Sequence, residues 1–196
     1  MICSDENYFK GVFALLESII QHTDNIDNIC FNFILDIHNC NGFTTMLRKI
    51  ENIHSISLSK VVVYIDINIL DKSILNSRCF NGGGHLMNIG NFSRLLVGEI
   101  FNYDKILYLD SDSIVQRDLY DFLNNFTCDK PIYAPLADKV NKNTKKQITI
   151  KQKSIINCDY NFKNIINKNI DENEYVFMGA PFVANCKLCL IFINRL

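Results

Sequence analysis

Tryptophan is absent from this 196-residue chain, proline occurs three times and glycine eight times. So little proline and glycine excludes a collagen-like fibre and leaves no composition for a flexible linker. Neither charge sign is in excess: 20 Lys and Arg stand against 21 Asp and Glu, a net charge of −1. That balance argues against a basic nucleic-acid binder. No apolar run reaches the roughly 18–20 residues that a bilayer span requires, and the Leu188–Ile193 stretch is far shorter. No charged-then-apolar leader with a cleavage site opens the chain, so no secretory route is visible. The expected compartment is the cytoplasm, with a peripheral contact to a membrane left open.

What is present suits a folded domain. Hydrophobic residues make up 48% and charged residues 21%, values that exclude a disordered tail and a coiled-coil rod. The length is that of one domain, and a domain near this size buries about 68–70% of its unfolded surface. Eight cysteines occur, at Cys3, Cys30, Cys40, Cys79, Cys128, Cys158, Cys186 and Cys189. Without a secretory leader they are expected to be free thiols that pack as small apolar residues. Cys186 and Cys189 form a lone CxxC, whereas a structural zinc site needs four ligands. Isoleucine and asparagine are abundant, so a single Asn carries little meaning.

The hydrophobic period changes along the chain. Met1–Ser4 reads as a very short strand. Phe9, Val12, Phe13, Leu16, Ile19 and Ile20 recur at three and four residues and predict an amphipathic helix. Cys30–Ile37 predicts a strand, Phe43–Ile50 a helix and Val61–Ile67 a buried β-branched strand. Ile89–Ile100 predicts a third helix, and the apolar run Ile106–Leu109 a strand covered on both faces. Asp118–Leu123 is a helical turn and Pro131–Ala137 another strand candidate. Residues 139–174 are polar, with six lysines between Lys139 and Lys153. That segment is read as a solvated loop, or as a face for an anionic acceptor or a membrane surface. Tyr175–Ala184 returns to the sheet.

Strands alternating with helices predict an α/β fold: one Rossmann-like domain, its mostly parallel central sheet flanked by helices. In such sheets ligands bind beyond the carboxyl ends of the strands. The residues to inspect are therefore Asp5–Tyr8, Asp66–Asn68, Asp110–Asp112 and Asp138.

The strongest chemical signal is Asp110-Ser111-Asp112, directly after the apolar strand. Two carboxylates one residue apart at a rigid sheet rim suit a hard divalent cation, which favours oxygen ligands and a partner phosphate. The same strand followed by DxD also fits a haloacid-dehalogenase-type phosphatase with Asp110 as nucleophile. That motif, however, lies near the N-terminus and has Thr or Val where this chain has Ile114. Gly82–Gly84 is not followed by Gly-Lys-Ser/Thr and is no P-loop. His22, His38 and His54 show no ligand spacing.

The stretch Asn91–Leu119, NFSRLLVGEIFNYDKILYLDSDSIVQRDL, together with the opening Ser4-Asp5-Glu6-Asn7-Tyr8, resembles the family 8 glycosyltransferases. That group includes lipopolysaccharide galactosyl- and glucosyltransferases and, more distantly, glycogenin. The resemblance implies a GT-A fold with its C-terminal part missing. Residues 1–137 would be the nucleotide-sugar-binding half, 138–174 a polar insertion and 175–196 the return to the sheet. It implies retaining transfer of a hexose from a UDP-sugar to a glycan or lipid-linked acceptor, with Mn²⁺ or Mg²⁺ as cofactor. A binding remnant that holds the donor without transferring it is the alternative. By the same resemblance Asp110 and Asp112 would ligate the metal, and Ser111 would lie against the donor ribose. Asp5 and Asn7 would contact uridine, with Tyr8 stacking on the base. Arg94, His85, Gly179 and Ala180 would complete the donor site.

Overall fold

The computed structural model describes residues 1–66, 94, 97–135, 138–140, 147–149 and 181–188, with backbone alone for 138–140 and 147–149. Strand β1 (Ile2–Ser4) leads through a 3₁₀ turn (Glu6–Tyr8) into helix α1 (Phe9–His22). Strand β2 (Phe31–Asp36), helix α2 (Phe43–His54) and strand β3 (Lys60–Ile65) follow. After residue 94 come a short helix α3 (Val97–Ile100), strand β4 (Ile106–Tyr108), helix α4 (Leu119–Asn125) and strand β5 (Ile132–Tyr133). Strands β6 (Asp138–Val140) and β7 (Gln147–Thr149) form an antiparallel pair, and β8 (Phe182–Ala184) closes the described chain.

β1, β2 and β3 pair in parallel in that order, whereas β8 lies antiparallel between β4 and β5. Met1 joins the two pieces. Its amine donates to Leu107 O at 2.6 Å, and Leu109 N–H donates to Met1 O at 3.1 Å. Bonds that bracket Tyr108 in this way follow the parallel-ladder pattern. Met1 thus sets two three-stranded sheets edge to edge, in the order β3-β2-β1 then β4-β8-β5, the first parallel and the second antiparallel.

β2 is buried at all six positions because both faces are covered. Phe31, Phe33 and Leu35 point to a core built with Val12, Leu15, Leu16 and Ile19 of α1 and Phe43, Leu47 and Ile50 of α2. Ile34 points the other way, to Cys3, Val97, Phe101, Ile106, Tyr108 and Phe182. Period-2 strands between period-3.6 helices account for both layers. Ordering α2 takes a left-handed residue at each end, Gly42 at φ +81° and Ser55 at φ +54°. Glu51, near the end of α2, accepts from Leu58 N–H and pairs with Lys60 Nζ at 2.5 Å, which fixes the entry to β3.

Two expectations change. β3 spans Lys60–Ile65 and leaves Val61 and Tyr64 exposed, so among the described residues it is a half-covered edge strand, not a buried one. β4 keeps the expected cover on both faces, with Met1 parallel on one side and β8 antiparallel on the other. The polar segment expected to lack order contains the β6–β7 pair, whose short strands are too polar to betray themselves by alternation. The five described cysteines, Cys3, Cys30, Cys40, Cys128 and Cys186, are free thiols, with Cys3 and Cys186 buried.

Candidate functional site

The order β3-β2-β1-β4 reverses direction between β1 and β4. In a doubly wound sheet the crevice beyond the carboxyl ends of the strands at that point is where ligands bind. The chain leaves β1 at Asp5 and β4 at Leu109-Asp110 on this same edge.

On the β1 side, Asp5 is buried and caps the 3₁₀ turn: its Oδ1 accepts Asn7 N–H at 2.9 Å. Tyr8 N–H donates to Asp5 O at 3.1 Å, and Glu6 N–H donates to Asn39 O at 3.0 Å, tying the turn to the loop after β2. The turn leaves Asn7 exposed and the Tyr8 ring 48% exposed at the mouth of α1. An exposed ring fixed at its backbone offers a face for stacking.

On the β4 side, Ser113 N–H donates to Asp110 O at 3.0 Å, closing a turn that carries Asp110, Ser111 and Asp112. Asp110 Oδ1 accepts the Tyr108 hydroxyl at 2.6 Å and Arg94 Nη1 at 3.3 Å. Arg94 also lies over the Tyr108 ring, 5.0 Å from its centroid, and Tyr108 stacks on Phe182 at 4.9 Å. Burial, the nearby Cys3 thiol and the bond to Asp110 raise the Tyr108 hydroxyl well above its ordinary range. It therefore stays protonated and donates.

The two sides touch. A Cβ built on Gly11 of α1 would lie 2.4 Å from Ser111 O, so only glycine admits the turn this close to the helix. Farther along α1, the buried Ser18 hydroxyl donates to Leu15 O and accepts Val115 N–H at 2.9 Å. Asp118 then caps α4 by accepting Asp121 N–H at 2.9 Å, and it also accepts Asp24 N–H at 3.0 Å. The segment after β4 is thus seated on α1 at Gly11 and Ser18 and tied to Asp24 just past its end.

The structure therefore brings Asp5, Asn7, Tyr8, Arg94, Asp110, Ser111 and Asp112 to one edge of the sheet. His85, Gly179 and Ala180 lie outside the described residues, as does Gly82–Gly84. Among the described residues no group of three or more His, Cys, Asp or Glu side chains converges as a complete metal cage. Asp110 and Asp112 offer two carboxylates on one turn, a donor set that fits a hard cation completed by water and phosphate oxygens.

Sequence reasoning missed Tyr108 and Gly11. Tyr108 was hidden in an apolar run, although period-2 geometry already puts it on the Asp110 side of β4. Gly11 was passed over, although a glycine inside a helix costs ~1 kcal/mol against alanine and so signals a close approach. A cavity of about 280 Å³ lies away from this site, against the amino ends of β1, β2 and β4, lined by Ile29, Tyr103, Leu119 and Leu123 among others. Its position at the opposite strand ends separates it from the chemistry.

Known proteins resemble this chain in sequence and fold. The chain is 26% identical over 120 residues to probable galacturonosyltransferase-like 4 of Arabidopsis thaliana, covering 59% of this chain and 31% of that protein. Galactosyltransferase LgtC, solved with donor and acceptor sugar analogues, superposes with a TM-score of 0.62 at 18% identity, over 95% of this chain and 57% of that one. The bifunctional glycosyltransferase WbbM superposes with a TM-score of 0.58 at 20% identity, over 98% of this chain and 32% of that one. This chain thus spans between about a third and three fifths of the length of these relatives. At such identities the structural likeness establishes the GT-A glycosyltransferase fold. The sequence profile of glycosyl transferase family 8 matches residues 1–187, and the chain belongs to that family.

Proposed function

We propose that this chain binds a UDP-sugar, with UDP-glucose or UDP-galactose as the expected donor. It transfers the hexose with retention to a hydroxyl of a glycan or lipid-linked acceptor, and it depends on Mn²⁺ or Mg²⁺. The observation that supports this reading best is the contact between Gly11 and Ser111. It sets the carboxylate turn against the helix that follows Tyr8, so two motifs a hundred residues apart meet at one edge of the sheet.

Each group then has a task. Tyr8 stacks on the uracil, and Asp5 holds the turn that presents Asn7 to the base. Ser111, fixed against α1, faces the ribose. Arg94 offers a planar fork suited to phosphate or sugar oxygens. Asp110 and Asp112 hold the cation, which when bound offsets the charge of the diphosphate leaving group. Family membership disfavours the phosphatase reading, in which Asp110 would be a nucleophile. Retention and the choice of hexose rest on the family resemblance.

The test is a radiolabelled transfer and hydrolysis assay with UDP-glucose and UDP-galactose, with and without Mn²⁺, alongside calorimetry with UDP. Cation-dependent release of sugar that disappears in Asp110→Asn and Asp112→Asn supports the proposal. Tight UDP binding without sugar release reduces it to a donor-binding module. Neither binding nor release removes it.

A further inference from the structure

Arg94 is held in a pose that competes with a cation. Its Nη1 lies 3.3 Å from Asp110 Oδ1, its side chain is 17% exposed, and its guanidinium rests on the Tyr108 ring. The same Oδ1 accepts the Tyr108 hydroxyl at 2.6 Å. A carboxylate oxygen has two in-plane acceptor directions, and both are taken here. Asp110 therefore meets a cation through Oδ2, or after Arg94 has left.

We propose that Arg94 is the standing counter-ion of Asp110 and exchanges with the cation. Cation alone binds weakly because the charge of Asp110 is already balanced. When a nucleoside diphosphate arrives, its oxygens draw the guanidinium away, since an arginine fork matches phosphate in a bidentate pose. The carboxylate then recovers its charge for the cation. Cation and diphosphate thereby strengthen each other's binding, and linkage requires the effect to be equal in both directions. This inference rests on the metal and donor reading given above. It adds a regulatory step to it: the site loads cation and nucleotide together and resists loading with cation alone.

The experiment is Mn²⁺ titration followed by the electron paramagnetic resonance of the free ion, with and without UDP. The proteins are the wild-type chain, Arg94→Gln, Arg94→Lys and Asp112→Asn, with thermal melts to verify folding. Removing a positive charge from a partly exposed pair should raise Mn²⁺ affinity about two- to fivefold in Arg94→Gln without UDP. The gain in Mn²⁺ affinity that UDP brings to the wild type should shrink in that variant. Arg94→Lys, which keeps the charge, should stay within about twofold of wild type. Unchanged or weaker Mn²⁺ binding in Arg94→Gln, with wild-type binding intact and lost in Asp112→Asn, overturns the exchange alone. No Mn²⁺ binding by the folded wild-type chain, with or without UDP, overturns the exchange together with the metal reading.

Discussion

Gly11→Ala tests whether the carboxylate turn is seated on α1. The new methyl would lie 2.4 Å from Ser111 O and 3.2 Å from Ser111 C, and the nearer contact is about 1 Å short of ordinary van der Waals distance. The opposing atoms are backbone, so no rotamer change relieves the overlap. Overpacking of this kind costs about 1–3 kcal/mol. Alanine in a helix interior returns about 0.8–1.0 kcal/mol relative to glycine. The net loss of stability is then about 0–2 kcal/mol, small enough for the chain to stay folded. Function is not buffered in this way, because a 1 Å misplacement of a site can cost about 10²-fold in rate. The expected result is a melting temperature within about 10 °C of wild type, with UDP and Mn²⁺ binding and sugar release reduced by about an order of magnitude or more. Calorimetry and the transfer assay read the second part, circular dichroism the first. A variant as stable and as active as wild type would refute the argument, since Ser111 could not then press on α1.

Two further outcomes follow from other parts of the fold. Lys105 Nζ donates to Leu123 O and to Phe126 O, the latter at 2.9 Å, at the carboxyl end of α4. Charge-assisted bonds to the carbonyls that close α4 predict a loss of about 1–2 kcal/mol in Lys105→Met, read from urea unfolding, and an unchanged midpoint would show that solvent serves these carbonyls equally well. Glu51 titrates below its ordinary value chiefly through its bond to Lys60, and Asp118 below its own through the N–H groups of Asp121, Asp24 and Tyr120. Folding thus favours both carboxylates ionised: the unfolded chain takes up protons first, and stability present at neutral pH is lost as pH falls below about 4.5. The urea midpoint of wild type should fall from about pH 6 to about pH 3, and Glu51→Gln with Asp118→Asn should lower it at pH 6 and flatten that fall. An equal loss in the double variant at both pH values would refute the linkage.

The elements around the crevice were legible because each carries its own period. Phe31, Phe33 and Leu35 alternate, Val12, Leu16 and Ile19 recur at three and four residues, and the two patterns face each other in the core. Asp5 and Asp110 were legible because each follows a strand directly. What the sequence hid depends on partners far along the chain. The exposure of Val61 and Tyr64 depends on which strand lies outside β3, and composition does not encode that. The antiparallel seat of β8 between β4 and β5 depends on partners about 50–75 residues back along the chain, and Pro181 stands just before the strand, where a missing N–H is harmless. The Tyr108–Asp110 bond is local in sequence, yet its meaning comes from Arg94 and from Phe182, which lies 74 residues beyond Tyr108 in the numbering.

All four parallel strands end near an aspartate, so a strand-end carboxylate alone marks no chemistry. Asp5 accepts Asn7 N–H within its own turn. Asp36 is buried and accepts His38 N–H at 3.1 Å and the Asn39 amide at 2.6 Å, shaping the loop after β2. Asp66 pairs with His38 Nε2 at 3.1 Å across the ends of β2 and β3. The bonds of Asp5 and Asp36 serve backbone N–H groups at the sheet edge, where these leave the ladder and need new partners. Asp110 differs in two respects. Its carboxylate is held by a strand tyrosine and a guanidinium instead of by loop amides, so the loop does not need it for its own closure. A second carboxylate, Asp112, follows on the same turn, and the turn itself is fixed by Ser113 N–H and by its contact with Gly11. Among the described strand ends, β4 sets two carboxylates on one rigid turn, the arrangement that the proposed cation would use.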